Sequence, residues 1–231
     1  MKNPTARRRQ INQDDKNKFR SLFRLKDFPG FSAKDLRALE EYYDAQLTGH
    51  QTPALRVGWK NPKSQRVRFE NLIKVGPIQK SKILDVGCGL GAFRGFLKDR
   101  RISVDYTGVD LFPATIVEAK RFYPDARFEA RVLTARPFAP GRFDYVFLSG
   151  VFNIKIRDNW KYMGAVLKNV LRQTKKAVAF NVLSGASGLK EFNRFTVLPG
   201  ELVSFGKNLG VARTRLLDHY HHLDLTLFLY K

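Results

Sequence analysis

The chain has a single cysteine, Cys88, among 231 residues. An internal disulfide is therefore excluded and a thiolate-rich metal site lacks ligands, both of which fit a reducing compartment. Long apolar runs are also missing, and none approaches the ~20 residues that cross a bilayer. The basic start, with Lys2, Arg7, Arg8 and Arg9, leads into polar residues and not into an apolar core, so no secretory signal is expected. Asp14 and Asp15 come too early for a mitochondrial presequence, and the expectation is a cytoplasmic protein. Acids are the other shortage, 21 against 42 Lys and Arg, for a net charge of +21. This excess is not confined to a tail: there are 18 basic and 8 acidic residues through Lys80, giving +10, and the remainder carries +11. A field of this sign gathers polyanions, nucleic acid or ribonucleoprotein being the commonest. An enzyme with an incidentally basic surface has the same composition.

With 43% hydrophobic residues the chain is long and apolar enough to bury a core beside a sizeable extension. Three parts are expected: a basic tail or helix over 1–27, a helical extension over 28–79, and a main domain over 80–231. In the first part Phe19, Leu22 and Phe23 fall on one helical face, able either to lie along a phosphate backbone or to dock on the domain. After the Pro29-Gly30 break, Ser32 reads as an N-cap with Asp35 in the first turn. Leu36, Leu39, Tyr43 and Leu47 then form a stripe at helical spacing. A second helix is expected over 64–75.

From Lys82 the chain alternates between strand and helix. Strands are expected over 82–86, 106–111, 126–130, 143–149 and 177–183, with helices between them, Pro113 opening one and Pro124 stopping it. Segments 213–220 and 223–230 are joined by His221-His222, too closely for a crossover helix, and must pair as an antiparallel hairpin. The pattern predicts a three-layer α/β fold whose mostly parallel sheet ends in that hairpin.

The run Leu84-Asp85-Val86-Gly87-Cys88-Gly89-Leu90-Gly91 is the organising feature. It is a strand, a glycine turn and a helix N-terminus, a combination that lets a ligand approach the backbone closely. Gly87-x-Gly89-x-x-Ala92 also satisfies the loose dinucleotide pattern. Against a dinucleotide stand Asp85, at a position usually apolar in such sites, the closing hairpin, and the little chain left for a substrate domain. The whole run resembles the first motif of class I S-adenosylmethionine-dependent methyltransferases, a resemblance that covers roughly residues 80–231 and implies their seven-stranded Rossmann-like sheet. It implies S-adenosylmethionine as cofactor, with Asp85 supporting the turn and the cofactor's amino-acid end, and Gly87, Cys88, Gly89 and Gly91 admitting it. Asp110, closing the second strand, matches the acid that takes the ribose hydroxyls, where one carboxylate can accept from two neighbours. Leu111 then flanks the adenine. Gly58-Trp59, Gln65 and Arg68-Phe69-Glu70 resemble the lead-in helix of a largely uncharacterised bacterial group, in which it covers the cofactor's methionine end. Trp59 is either a cation–π wall beside the sulfonium or a core anchor.

One departure concerns adenine. The family often carries an acid after the third strand, whereas this chain reads Glu129-Ala130-Arg131-Val132-Leu133 and leaves adenine to backbone groups around Val132 and Leu133. Ser149 to Asn153, after the fourth strand, are expected to line the acceptor side. The Asn/Asp-Pro-Pro-Tyr/Phe motif of base-nitrogen methylation is absent there, and the lone cysteine sits in the turn, which excludes cytosine C5 chemistry. Asn153 and Asn181 are candidates to orient the acceptor, although Asn181 in an apolar strand also suits a satisfied structural amide. His219, with His221 and His222, is a candidate base or a plain turn residue. On charge, the favoured acceptor is RNA or a ribonucleoprotein; the alternatives are a small molecule or protein, or a non-catalytic RNA-binding assembly factor. No metal site is expected.

Overall fold

In the computed structural model, which describes residues 24–49, 52–58, 62–188 and 193–231, both faces of one sheet are covered by helices. The strands are β1 (Lys82–Val86), β2 (Asp105–Asp110), β3 (Arg127–Ala130), β4 (Phe143–Leu148), β5 (Thr174–Ser184), β6 (Thr196–Val197), β7 (Arg213–Leu217) and β8 (Asp224–Tyr230). The helices are α1 (Ala33–Gly49), α2 (Pro62–Leu72), α3 (Ala92–Asp99), α4 (Pro113–Phe122), α5 (Asn159–Gln173) and α6 (Pro199–Lys207). The sheet order is β3-β2-β1-β4-β5-β8-β7. Neighbours from β3 to β5 are parallel, and β8 runs antiparallel between β5 and β7. This is the expected seven-stranded sheet with its terminal hairpin. The sequence did not mark β6, whose two residues pair in parallel with Leu183 and Ser184.

Alternation within the strands divides the core in two. Ile83, Tyr145, Phe147, Ala177, Ala179 and Phe228 pack with α2, α3 and α4. Their neighbours Leu84, Val146, Leu148, Val178, Phe180, Leu227 and Leu229 pack with α5 and α6. A parallel sheet covered on both faces needs apolar side chains on both, which is why these strands read as continuous hydrophobic runs. Because the parallel strands all end at one edge, the loops after β1, β2, β3 and β4 converge there.

The extension closes over that edge. Ser32 caps α1, its Oγ donating to Asp35 Oδ2 at 2.6 Å and accepting from the Asp35 N–H at 3.2 Å. Gly30 has φ +92, and a Cβ there would lie 2.2 Å from the Asp158 carbonyl, so only glycine lets the chain reach the start of α5. The expected helix over 64–75 is found as α2 followed by a short 3-10 turn, Ile73–Val75. A buried ion pair fastens α2 to the hairpin: Arg68 is 4% exposed and Asp224 1%. Arg68 Nε donates to Asp224 Oδ1 at 2.8 Å. Asp224 Oδ2 lies 2.7 Å from Arg68 Nη2 and 2.8 Å from His221 Nδ1, close enough for attraction without hydrogen-bond alignment. Removing one partner strands a buried charge, which costs about 3–5 kcal/mol. Arg68→Ala is therefore expected to lower stability by that amount in urea unfolding. Arg66→Ala, on a half-exposed neighbour, should change it by less than about 1 kcal/mol.

Candidate active site

The glycine turn is built by two loops that share hydrogen bonds. The Gly87 and Cys88 N–H groups donate to the Val109 carbonyl at 2.8 and 3.0 Å, which docks the turn on the end of β2. Gly89 N–H donates to Asp110 Oδ2 at 2.8 Å, and Phe112 N–H donates to Asp110 Oδ1 at 3.0 Å. A carboxylate has about four lone-pair sites, so with these two aligned donors Asp110 keeps acceptor capacity for ligand hydroxyls. Burial raises the Asp110 pKa, against the lowering effect of the Phe112, Gly89 and Leu111 N–H groups and the Thr115 hydroxyl.

The three turn glycines all have positive φ, +70 at Gly87, +53 at Gly89 and +81 at Gly91, but their close neighbours differ. A Cβ at Gly87 would meet Val151 at 2.8 Å, and one at Gly89 would meet Val57, from the short 3-10 turn Leu55–Val57, at 2.9 Å. One at Gly91 would meet Tyr123 at 2.8 Å and Phe128 at 3.0 Å, so this glycine serves the packing of α3 and does not line the chamber. The extension thus rests directly on the turn. Arg56 latches it there, with Nη1 and Nη2 donating to Glu118 of α4 at 2.6 and 2.7 Å and Nε to the Leu47 carbonyl at 3.0 Å.

Between extension and domain lies a chamber of about 150 Å³. Of the residues singled out from the sequence, Gln65, Asp85, Gly87, Cys88, Gly89, Asp110, Leu111, Val132, Leu133, Ser149 and Asn153 line it. Trp59 lies outside the described residues. Cys88 has its thiol in the core, with its pKa raised by burial, and Sγ is 3.0 Å from where a Cβ on Gly108 would sit. On the adenine side, Glu129 is turned to Arg131 at 2.7 Å. The Val132 carbonyl already accepts from Ala135 and Arg136, at 3.2 and 2.8 Å. The apolar side chains of Val132 and Leu133 therefore form the wall there.

Two candidates lie elsewhere. Asn181 is 1% exposed and is not in the chamber lining. Its Oδ1 accepts from Gly150 N–H at 2.8 Å and its Nδ2 donates to Ser149 Oγ at 3.3 Å, so it braces the loop after β4 as a structural amide. The reason is register: Leu148 pairs with Phe180, which brings Asn181 beside the end of β4. His219 is 95% exposed in the β7–β8 turn, 2.9 Å from Asp218, and does not reach the chamber. By contrast, Asn153 Oδ1 is buried with no hydrogen-bond partner, at the chamber wall. Phe152 lines the chamber within the expected stretch from Ser149 to Asn153, whereas sequence reasoning missed the other aromatics of roof and floor, Phe28, Phe31 and Tyr162. Phe28 and Phe31 could have been found as the aromatics flanking Pro29-Gly30.

The fold and this turn define a class: a Rossmann-like enzyme built around an adenosine cofactor. The family profile described as "Methyltransferase domain" matches residues 83–176. A Mycobacterium tuberculosis protein named as a methyltransferase, Rv1506c, is 31% identical over 161 residues, covering 64% of this chain and 92% of that protein. Among solved structures, Burkholderia thailandensis 1,6-didemethyltoxoflavin-N1-methyltransferase, with 1,6-didemethyltoxoflavin and S-adenosylhomocysteine bound, has a similar fold. Its TM-score is 0.64 at 15% identity, over 87% of this chain and 90% of that one. Magnesium protoporphyrin IX methyltransferase of Synechocystis PCC 6803, with S-adenosylmethionine bound, gives 0.57 at 14% identity over 96% and 100%. The chain belongs to the class I S-adenosylmethionine-dependent methyltransferases, and S-adenosylmethionine is its cofactor.

Asp85 carries the most informative electrostatics. It is 3% exposed, and Tyr106 Oη donates to its Oδ2 at 2.6 Å. Burial raises its pKa to about 7, against the lowering effect of the tyrosine, with the Asp110 charge adding to the rise. In the folded chain Asp85 therefore holds its proton from about pH 4 to about pH 7, whereas the unfolded chain does not. Its contribution to stability is complete below about pH 4 and is lost as pH rises through about 7. The ligand-free protein should lose stability across that window relative to Asp85→Asn, as read by melting temperature at each pH. Parallel pH profiles for the two proteins would contradict the assignment.

Proposed function

We propose that the chain transfers the methyl group of S-adenosylmethionine to a small, flat acceptor held in the chamber beneath α1. The observation that supports this is the chamber's aromatic enclosure. Phe31 and Tyr162 meet edge to face at 4.8 Å between ring centroids, Tyr43 and Phe112 lie 4.7 Å apart, and Phe152 lies 6.0 Å from Tyr162. Such walls suit a planar molecule taken in whole.

Methyl transfer from a sulfonium needs positioning more than covalent help, because the nucleophile must attack in line with the S–CH3 bond. The cofactor supplies the methyl group and its positive charge. Around it, Asp110 holds the ribose and Val132 and Leu133 flank the adenine. Asp85, Gln65 and the glycine turn receive the amino-acid end. On the acceptor side the unpartnered Asn153 amide fixes orientation. Burial raises the pKa of Tyr43 and Tyr162, so both stay protonated and act as hydrogen-bond donors. A chamber of about 150 Å³ is below the ~300–1,000 Å³ usual for ligand sites. The extension must therefore move outward to admit cofactor and acceptor, and Arg56–Glu118 is the contact that holds it shut.

RNA or a ribonucleoprotein as acceptor is the second reading, favoured by the net charge of +21. A cytoplasmic setting is supported by the lone cysteine, and among the described residues no helix is long and apolar enough to cross a membrane. The test incubates the protein with methyl-labelled S-adenosylmethionine and a whole-cell extract, then separates the RNA, protein and low-molecular-weight fractions. Label in the low-molecular-weight fraction is expected, and it should fall at least tenfold with Asn153→Ala. Label confined to RNA would overturn the small-acceptor reading.

A further inference from the structure

The charge that the chamber does not use has a location of its own. At the edge of the sheet opposite the chamber the strands begin, and the register places one residue of each in a row. The Lys82 N–H of β1 donates to Asp144 of β4, whose carboxylate also faces Lys176 of β5. Lys231 follows, its N–H donating to the Lys176 carbonyl at 3.0 Å, and Arg213 of β7 pairs with Tyr230 of β8. Lys82, Lys176, Lys231 and Arg213 are exposed, as are Arg142 and Lys175 beside them. Asp144 is shared between the Lys82 N–H at 2.8 Å and Lys176 Nζ at 3.9 Å, and Asp105 stands at the far end, opposite Lys82. Six exposed cations thus face two acids, one of them already engaged.

Two of these cations are held in place by rings and not by acids: Arg213 lies over the Tyr230 ring at 4.2 Å and Arg142 over Phe138 at 5.1 Å, while Lys176 lies over Tyr145 at 5.5 Å and also faces Asp144. A ring orders the side chain while leaving its charge available to an anion. From β1 to β7 the row crosses four strand spacings, about 19 Å at about 4.8 Å each. That length covers several phosphates of a nucleic-acid backbone. The roof of the chamber has the opposite character: α1 carries Asp35, Glu40, Glu41 and Asp44 against Lys34 and Arg37, a net −2. None of the exposed large apolar side chains among the described residues, Leu25, Val117, Phe122 and Leu198, belongs to the strands of this row.

We propose that this basic rim docks a single-stranded nucleic-acid backbone, at the end of the molecule opposite the active site and independently of the acceptor. A mixed-sequence fluorescent RNA oligonucleotide, titrated with the full chain by anisotropy at rising salt, tests it. The double variant Lys176→Glu/Arg213→Glu should weaken binding at least tenfold, and the salt slope should drop by about 1.4 for two lost phosphate contacts. Lys34→Glu/Arg37→Glu, an equal change of charge on α1, should weaken it less than threefold. S-adenosylhomocysteine affinity should be unchanged in both, which separates failure of the rim from failure of the catalytic reading. Equal weakening by the two variants would overturn the proposal. So would retention of RNA binding by the rim variant, which would assign the polyanion to the basic residues 1–23. Capture by anionic lipid vesicles with no RNA binding would overturn it as well.

Discussion

The site depends on one carboxylate that gathers backbone from two loops. Asp110 accepts from Gly89 on one side and Phe112 on the other, and so sets the distance between the glycine turn and the segment after β2. Those donors are charge-assisted, the stronger kind of hydrogen bond, and they are made where burial opposes the charge. The conflict is tolerable because the same carboxylate has acceptor capacity left for a ligand. Asp85, nearby and also buried, resolves the conflict differently: it keeps its proton to about pH 7 and shares it with no cation. Burial thus raises the pKa of both carboxylates on these adjacent strands, opposed by backbone N–H groups at Asp110 and by a tyrosine hydroxyl at Asp85.

Around this centre the extension is fastened to the domain at several places: Gly30 joins it to α5, the Thr134 hydroxyl donates to the Asp27 carbonyl, Arg56 clasps Glu118 and Arg68 pairs with Asp224. Arg56 sits beside Val57, which rests on Gly89, so the extension and the glycine turn are in direct steric contact.

Much of the frame was legible in the sequence because it is written in local patterns. The run from Leu84 to Gly91 encodes strand and turn within one window, the continuous apolar runs of β4 and β5 encode a sheet buried on both faces, and His221-His222 forbids a crossover between the last strands. What could not be read is what lies across the sheet or across the chain. Asn181 sits among apolar neighbours in either of its possible roles, and only the pairing of Leu148 with Phe180 shows that its amide meets Ser149 and Gly150. Arg56 and Glu118 are 62 positions apart, and nothing local to either announces the other. Strand β5 begins at Thr174, earlier than expected, because Lys175 and Lys176 point to solvent at the rim and hide the apolar signal. His219 belongs to the turn, where a polar residue is ordinary.

The central claim is that the chamber at the glycine turn is the S-adenosylmethionine site and that Asp110 holds it. Titration calorimetry of S-adenosylhomocysteine into the full chain tests this most directly. One site per chain is expected in the parent protein, with affinity at least tenfold weaker in Asp110→Ala, while unfolding midpoints remain close enough to show that the variant is folded. Absence of binding to the parent protein, or equal affinity in the two, would contradict the account.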